Sequence, residues 1–169
     1  MHPADPDRAF LASLGWDQSY TDQLRPDEDA LAPMRIATVH RARMTAVGVQ
    51  GTVRLILPVQ VNTSQFAVGD WVLADPATHT LIRRLDRHTL LQRRLEGGGA
   101  PQLIAANVDT LFIVTSCNAD FNPARLERYL ALANEAGATP VIVLTNADQT
   151  TDPQQFQTQA AALQRGLAV

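Results

Sequence analysis

The stretch VIVLTNADQT, Val141–Thr150, decides how this chain is read. Its first five residues are apolar or β-branched, the composition of a buried strand. At the carboxyl end the run breaks into a polar turn carrying Asn146 and Asp148. Upstream, VDTLFIVTSC (residues 108–117) is a second continuous apolar run, the mark of a strand covered on both faces. Between the two lies a helix with clear end signals: Asn122 as N-cap, Pro123 at the first helical position and Gly137 just past the end. Leu126, Leu130 and Ala133 fall on one face of it. Strand, helix and strand in that order predict a βαβ unit with parallel strands. TTDPQQFQTQAAALQRG (residues 150–166) repeats the grammar, with Asp152 as cap, Pro153 inside the first turn and Gly166 after the last. The closing LAV begins a third strand. Three strands and two helices make half of a doubly wound sheet, so the reading expects the architecture to continue beyond Val169.

In an open α/β sheet, ligands bind outside the carboxyl ends of the strands, where Thr145–Asp148 must lie. An aspartate there can accept two hydrogen bonds from the N1–H and 2-amino edge of guanine, a donor pair that adenine lacks. A site built for such a pair rejects the wrong base by large factors. From spacing alone, the commoner role of Asn and Asp after a strand is to form a turn or cap a helix.

The phosphate side of such a site is missing. A P-loop carries a lysine that reaches the β and γ phosphates, and the chain contains no lysine at all; its 14 basic residues are all arginine. The glycine triplet at residues 97–99 precedes Pro101 and a strand, not a helix, and reads as a linker. His2, His40, His79 and His88 are scattered without metal-ligand spacing. The single cysteine, Cys117, excludes a disulfide framework and reads as a small core residue. The residues therefore predict no catalytic group, no metal site and no nucleotide hydrolysis by this chain alone.

Before the linker the texture differs. MRIATVHRARMTAVGV, GTVRLILPV, DWVLAD and THTLIRRLD are short β-rich pieces separated by Gly, Asp and Pro turn signals. Four or five short strands in about sixty residues predict a small barrel, of OB type by size, with an SH3-like barrel as the alternative. Residues 1–33 mix acids, prolines and a few apolar anchors and read as a short amphipathic segment followed by a mobile polar tether. The predicted organisation is an extension over 1–33, an OB-fold RNA-binding domain over 34–96 and a partial α/β domain over 97–169.

The net charge of -3 hides an uneven distribution. Residues 1–33 hold two Arg against seven acids, 34–96 nine against four, and 97–169 three against six. The basic excess is confined to the barrel, where Arg41, Arg43, Arg83, Arg84, Arg87, Arg93 and Arg94 become candidates for RNA phosphates. The bland alternative is that a few arginines keep a small barrel soluble. The chain has no run of about 18 apolar residues to span a bilayer, and MHPADPDRAF is no signal peptide. A cytoplasmic location is expected.

VGDWVLAD, LDRHTLLQRR, LIAANVDTLFIV and DFNPARLERYLALANEAGATPVIVLTNAD together resemble the RsgA (YjeQ) family, the circularly permuted GTPases of small ribosomal subunit maturation. The likeness runs from about Leu14 to Val169. It implies an OB-fold that contacts ribosomal RNA, then a P-loop GTPase-like domain whose guanine motif precedes the P-loop in sequence. The P-loop, the switch motifs and a C-terminal zinc-binding domain come later in that family, so this chain reads as the N-terminal portion. The implied ligands are GTP with magnesium, and zinc in the later domain. The implied partners are the small ribosomal subunit and its rRNA, not DNA or a membrane. In the intact protein, GTP hydrolysis would be coupled to engagement of the small subunit. By position, Thr145, Asn146, Ala147 and Asp148 occupy the guanine motif. Asn146 stands where the family usually has a lysine whose alkyl stem covers one face of the base. Asn is shorter and uncharged, so the base is held more weakly or another side chain covers it. A non-catalytic RNA-binding module is the competing reading.

Overall fold

A computed structural model describes residues 6–93, 98 and 100–169. In chain order the elements are α1 (Pro6–Ser13), α2 (Gln18–Thr21), β1 (Ala32–His40), β2 (Arg43–Gly48), β3 (Gly51–Arg54), β4 (Trp71–Ala74), β5 (Leu81–Arg84), β6 (Leu90–Arg93), β7 (Gln102–Ala106), β8 (Thr110–Ser116), α3 (Pro123–Ala136), β9 (Thr139–Thr145) and α4 (Pro153–Ala161). They fall into two compact units. The first takes in the described residues of Met1–His88 and Arg93–Asn107, the second Thr89–Gln92 and Val108–Val169.

The first unit is the OB barrel. Its strands are ordered β3-β2-β1-β4-β5, all antiparallel. The circuit closes where the chain just after β3 meets the chain entering β5. Ile56 N–H donates to His79 O and Leu81 N–H to Ile56 O, both at 2.9 Å, and this bridge is parallel. This single bridge joins the two ends of the strand order. Alternation along β1 and β2 places Met34, Ile36, Met44 and Ala46 inside, packed with Leu55, Val72, Ala74 and Leu81. β1 shifts register between Ile36 and Thr38, which bends the strand around the barrel.

The segment before Met34 is not the mobile tether that its composition predicts, as far as residues 6–31 are concerned. Its apolar residues Leu11, Leu14, Trp16, Tyr20, Leu24 and Leu31 pack with Trp71, Leu73 and Leu85 in a second cluster. Trp16 meets Trp71 edge-on, with ring centroids 4.9 Å apart. Two buried or half-buried charges fasten the segment. Arg83 pairs with Glu28, and Arg35 donates to the carbonyls of Leu14, Gly69 and Asn107. Composition alone misleads because the sparse anchors between Leu11 and Leu31 suffice once one aromatic floor collects them.

The compact units also differ from the compositional boundaries at 33/34 and 96/97. The described residues of Ala100–Asn107 belong with the barrel. Ala106 N–H donates to Val68 O at 2.8 Å, and β7 runs parallel to that segment at Val68 and Ala105. Gly69 makes the approach possible. Its φ is +92°, and a Cβ there would overlap the Ala106 carbonyl oxygen. Of the glycine triplet, Gly97 and Gly99 lie outside the described residues.

In the second unit β8 and β9 are parallel and paired from Thr110↔Thr139 to Ser116↔Thr145. α3 begins and ends at the expected caps: the Asn122 side chain accepts from Arg125 N–H, and Gly137 adopts the left-handed conformation at φ 78°. Leu126 and Leu130 of α3 and Ala160 of α4 pack on Ile113 and Ile142. Of the expected third strand the structure shows a single parallel bridge, Ala168 to Val141, with Ala168 O accepting from Ile142 N–H at 2.9 Å. Two expectations need correction. β8 is not covered on both faces among the described residues, since Phe112 and Val114 are 64% and 63% exposed; the packed helical residues all meet the Ile113 face. And α4 stops at Ala161, not near Gly166. The chain leaves the helix through turns that bring Leu163 and Leu167 against the core, a gain that outweighs another turn of exposed helix.

Candidate functional site

The parallel register of β8 and β9 sets their carboxyl ends side by side, with Ser116 opposite Thr145. Cys117 N–H continues the ladder to Thr145 O at 2.9 Å. Their hydroxyl oxygens lie 3.3 Å apart, and Thr145 Oγ1 also donates to Thr115 O at 3.3 Å. Thr145 is thus the anchor by which the turn is attached to the sheet.

At Asn146 the backbone turns left-handed, φ 55° and ψ 34°, and Ala147–Gln149 follow as one 3-10 turn. Asn is the non-glycine residue that best tolerates this region, because its short amide can hydrogen-bond locally. Here it does so, donating Nδ2–H to Ser116 Oγ at 3.3 Å. The side chain points back to the end of β8. Ala147 and Asp148 are exposed. Asp148 Oδ2 accepts from Gln149 Nε2 at 2.7 Å, the one hydrogen bond found for this carboxylate among the described residues. The remaining lone pairs can accept from a donor pair on a ligand edge. The four residues singled out in the sequence, Thr145, Asn146, Ala147 and Asp148, therefore occupy one continuous turn at the carboxyl end of the parallel strands. Ser116 and Gln149 are additions that sequence reading missed. Ser116 becomes visible only when the register of two strands 29 residues apart is known.

Beside the turn lies a cleft of about 480 Å³ walled by Cys117, Val141, Leu144, Ala147 and Val169, with Gln154 from α4. Ala147 belongs both to the turn and to this wall. An apolar wall next to an exposed carboxylate offers a flat heterocycle a place for its face and a partner for its polar edge.

The arginines separate into two groups. Arg83 donates Nε–H to Glu28 Oε1 at 2.6 Å and Nη2–H to Glu28 Oε2 at 2.7 Å, and also reaches Gln23 O. That contact holds the Glu28 carboxyl down at about 2, chiefly through the Arg83 hydrogen bonds. Arg87 binds Asp70, which is fully buried, by the same two-pronged geometry at 2.6 and 2.7 Å. Arg84 donates to Gln65 O and Arg93 to Gln102 Oε1. Arg41 and Arg43 are exposed at the β1–β2 turn, with no side-chain hydrogen bond among the described residues; Arg54 on β3 is likewise exposed and was not singled out in the sequence. Arg94 lies outside the described residues. Among the described residues no group of three His, Cys, Asp or Glu gathers that could hold a metal ion. No helix among them is long and apolar enough to cross a membrane.

The family described as RsgA GTPase matches residues 84–168. The chain is 60% identical over 159 residues to the small ribosomal subunit biogenesis GTPase RsgA of Mesorhizobium japonicum, covering 94% of this chain and 46% of that protein. It is 41% identical over 155 residues to small ribosomal subunit biogenesis GTPase RsgA 2 of Vibrio parahaemolyticus, covering 90% and 42%. The chain thus spans less than half the length of these relatives. Among solved structures, YloQ, described as a circularly permuted GTPase, superposes with a TM-score of 0.54 at 18% identity, covering 82% of this chain and 48% of that one. YjeQ from Thermotoga maritima does so with 0.56 at 17%, covering 76% and 46%. At such identities the likeness carries the fold.

Proposed function

The chain belongs to the RsgA GTPase family, and from that premise we propose that it supplies the base-selecting turn and an RNA-contacting barrel to a cytoplasmic GTP hydrolase acting in small ribosomal subunit biogenesis. The observation that carries the reading is the turn Thr145–Asp148 at the carboxyl ends of two parallel strands, with an exposed carboxylate at its tip. Asp148 accepts from N1–H and the 2-amino group of guanine, while the apolar wall that includes Ala147 lies against the base in place of a lysine stem. Thr145 and Asn146 hold the turn to β8. The chain has no lysine to brace phosphates, so on this reading it does not turn over GTP by itself, and hydrolysis, magnesium and zinc belong to residues beyond those described. In the same reading residues 34–96, with the described residues of 100–107 that pack on the barrel, carry the RNA contacts and residues 108–169 the base contact, with 1–33 preceding them. Arg41 and Arg43 meet rRNA phosphates, whereas Arg83 and Arg87 serve packing.

The test uses the change of one hydrogen-bond polarity. Xanthine presents a carbonyl acceptor where guanine presents the 2-amino donor. Asp148→Asn therefore exchanges preference from guanosine diphosphate to xanthosine diphosphate, read by chemical-shift titration of the chain. Equal response of the native chain to guanosine and adenosine diphosphates, unchanged in Asp148→Asn, removes the guanine reading. GTP turnover by the chain that disappears in Asp148→Ala removes the claim that it is inactive alone.

A further inference from the structure

The first unit carries a second concavity, distinct from the turn at Asp148. It is a cleft of about 490 Å³ between the β1–β2 turn, the 3-10 turn at Thr63–Gln65 and the start of β7. Phe66, Val68, Pro101 and Ile104 form its apolar wall, and His40 and Arg41 stand at its rim. Val68 and Ile104 are 43% and 46% exposed, apolar side chains kept at a surface with nothing over them among the described residues. The rim is held in place. Thr63 Oγ1 donates to Arg41 O at 2.9 Å, tying the β1–β2 turn to the 3-10 turn across the cleft, and Thr63 itself is buried.

Among the described residues that line the cleft Arg41 is the one charged side chain and there is no carboxylate. Arg43 lies just outside the lining, paired across the hairpin with His40, which does line it, and the side chains of both arginines are exposed. An aromatic and aliphatic wall beside free guanidinium groups is the combination by which single-stranded nucleic acid is held: base against the wall, phosphate on the cation. A paired base cannot enter, because its face is covered by its neighbours in the stack. An apolar peptide would use the wall and leave the cationic rim without a partner, so charge complementarity selects a polyanion.

We propose that this cleft takes one unstacked base of a single-stranded RNA segment, seated against Phe66, Val68 and Ile104, with its flanking phosphates on Arg41 and Arg43. The inference rests on the RNA-contacting role of the barrel and adds to it a preference for unpaired over paired RNA.

The test measures fluorescence anisotropy of the chain with labelled RNA of about eight nucleotides, a length within the footprint of one OB fold. Three probes are compared: a single-stranded oligouridylate, the same chain with abasic positions, and a fully paired duplex. Val68→Ser/Ile104→Ser is expected to weaken the base-bearing single strand about fivefold or more, with the salt slope and duplex binding unchanged. Arg41→Ala weakens all three probes and lowers the single-strand salt slope by about 0.7. Unchanged thermal unfolding shows that the double variant is folded. If it is not, the native chain's preference for the base-bearing over the abasic strand decides the matter alone. Equal affinity for those two strands overturns the base cleft while leaving RNA binding intact. Failure of the native chain to bind any of the probes overturns both. Competition by an uncharged apolar peptide, with no response to salt, identifies a peptide groove and also overturns the proposal.

Discussion

Arg83 and Glu28, 55 residues apart in sequence, meet through two parallel charge-assisted hydrogen bonds of 2.6 and 2.7 Å. The Glu28 carboxyl is lowered from its ordinary 4.5 to about 2, first because Arg83 donates to its ionised form. A carboxyl whose value falls on folding stabilises the native state above its unfolded value and loses that contribution as pH drops through its folded one. The first unit should therefore lose stability between about pH 4.5 and about pH 2. In Glu28→Gln the acid limb of the unfolding midpoint should be shallower than in the native chain, the difference being confined to that window; identical limbs contradict the linkage. Asp17 and Asp75 are lowered as well, by Ser19 and Thr78 respectively, and their contribution persists in the variant.

The two groups of arginines should respond differently to charge reversal. Arg41→Glu with Arg43→Glu should weaken RNA binding steeply and leave thermal unfolding nearly unchanged, because neither side chain holds anything among the described residues. Arg83→Glu places a carboxylate against Glu28 and should lower the unfolding temperature of the first unit clearly. Melting curves and salt-dependent RNA binding on the same preparations check both halves.

Asn146 occupies the left-handed region. Asn146→Ala should destabilise the second unit by about 1 kcal/mol, and Asn146→Gly by no more than a few tenths. Asn146→Lys should cost about as much as alanine, having neither the local amide contact to Ser116 nor glycine's freedom. Denaturant titration of the three variants provides the comparison; a lysine variant as stable as the native chain would show that the turn does not depend on asparagine.

Gly69 is the point where β7 approaches the barrel. Gly69→Ala should cost more than about 2 kcal/mol, because the added methyl meets a backbone carbonyl and the φ is one that alanine rarely adopts. Hydrogen exchange should accelerate first at the amide of Ala106, whose bond to Val68 O closes the contact.

The N-cap of α3 is simpler. Asn122 accepts from Arg125 N–H at 3.0 Å, and Asn122→Ala should destabilise the second unit by about 1 kcal/mol. An effect near zero would mean that the helix is carried by Leu126 and Leu130 alone.

Much of the second unit could be read directly because its signals are local. Asn122, Pro123 and Gly137 bound a helix through hydrogen bonds within a few residues of each other, and Asp152 with Pro153 start the next one for the same reason. The turn at Thr145–Asp148 was legible because a polar break after a buried run can fall only at a strand end. What failed were expectations about how far a face is covered or a helix runs, which depend on a distant surface. The apolar run in β8 says that Phe112 and Val114 suit a covered face, but among the described residues nothing covers them. The length of α4 depended on where Leu163 and Leu167 find the core, which no cap signal encodes.

The arginines mark the division most clearly. Their concentration between residues 34 and 96 was a property of the sequence, and so was the absence of any lysine to hold phosphates. Which guanidinium groups remain available was decided only when the chain closed on itself. Glu28 and Asp70 were brought to Arg83 and Arg87 by the packing of aromatic anchors and by the barrel's closure, and a buried carboxylate must take a cation with it. Arg41 and Arg43 stayed exposed at the β1–β2 hairpin, with no carboxylate hydrogen-bonded to either among the described residues. Local rules thus determined most of the elements and the position of the turn at Thr145–Asp148. Long-range contacts, whose partners lie up to 72 residues apart, determined which charges serve folding and which stay exposed.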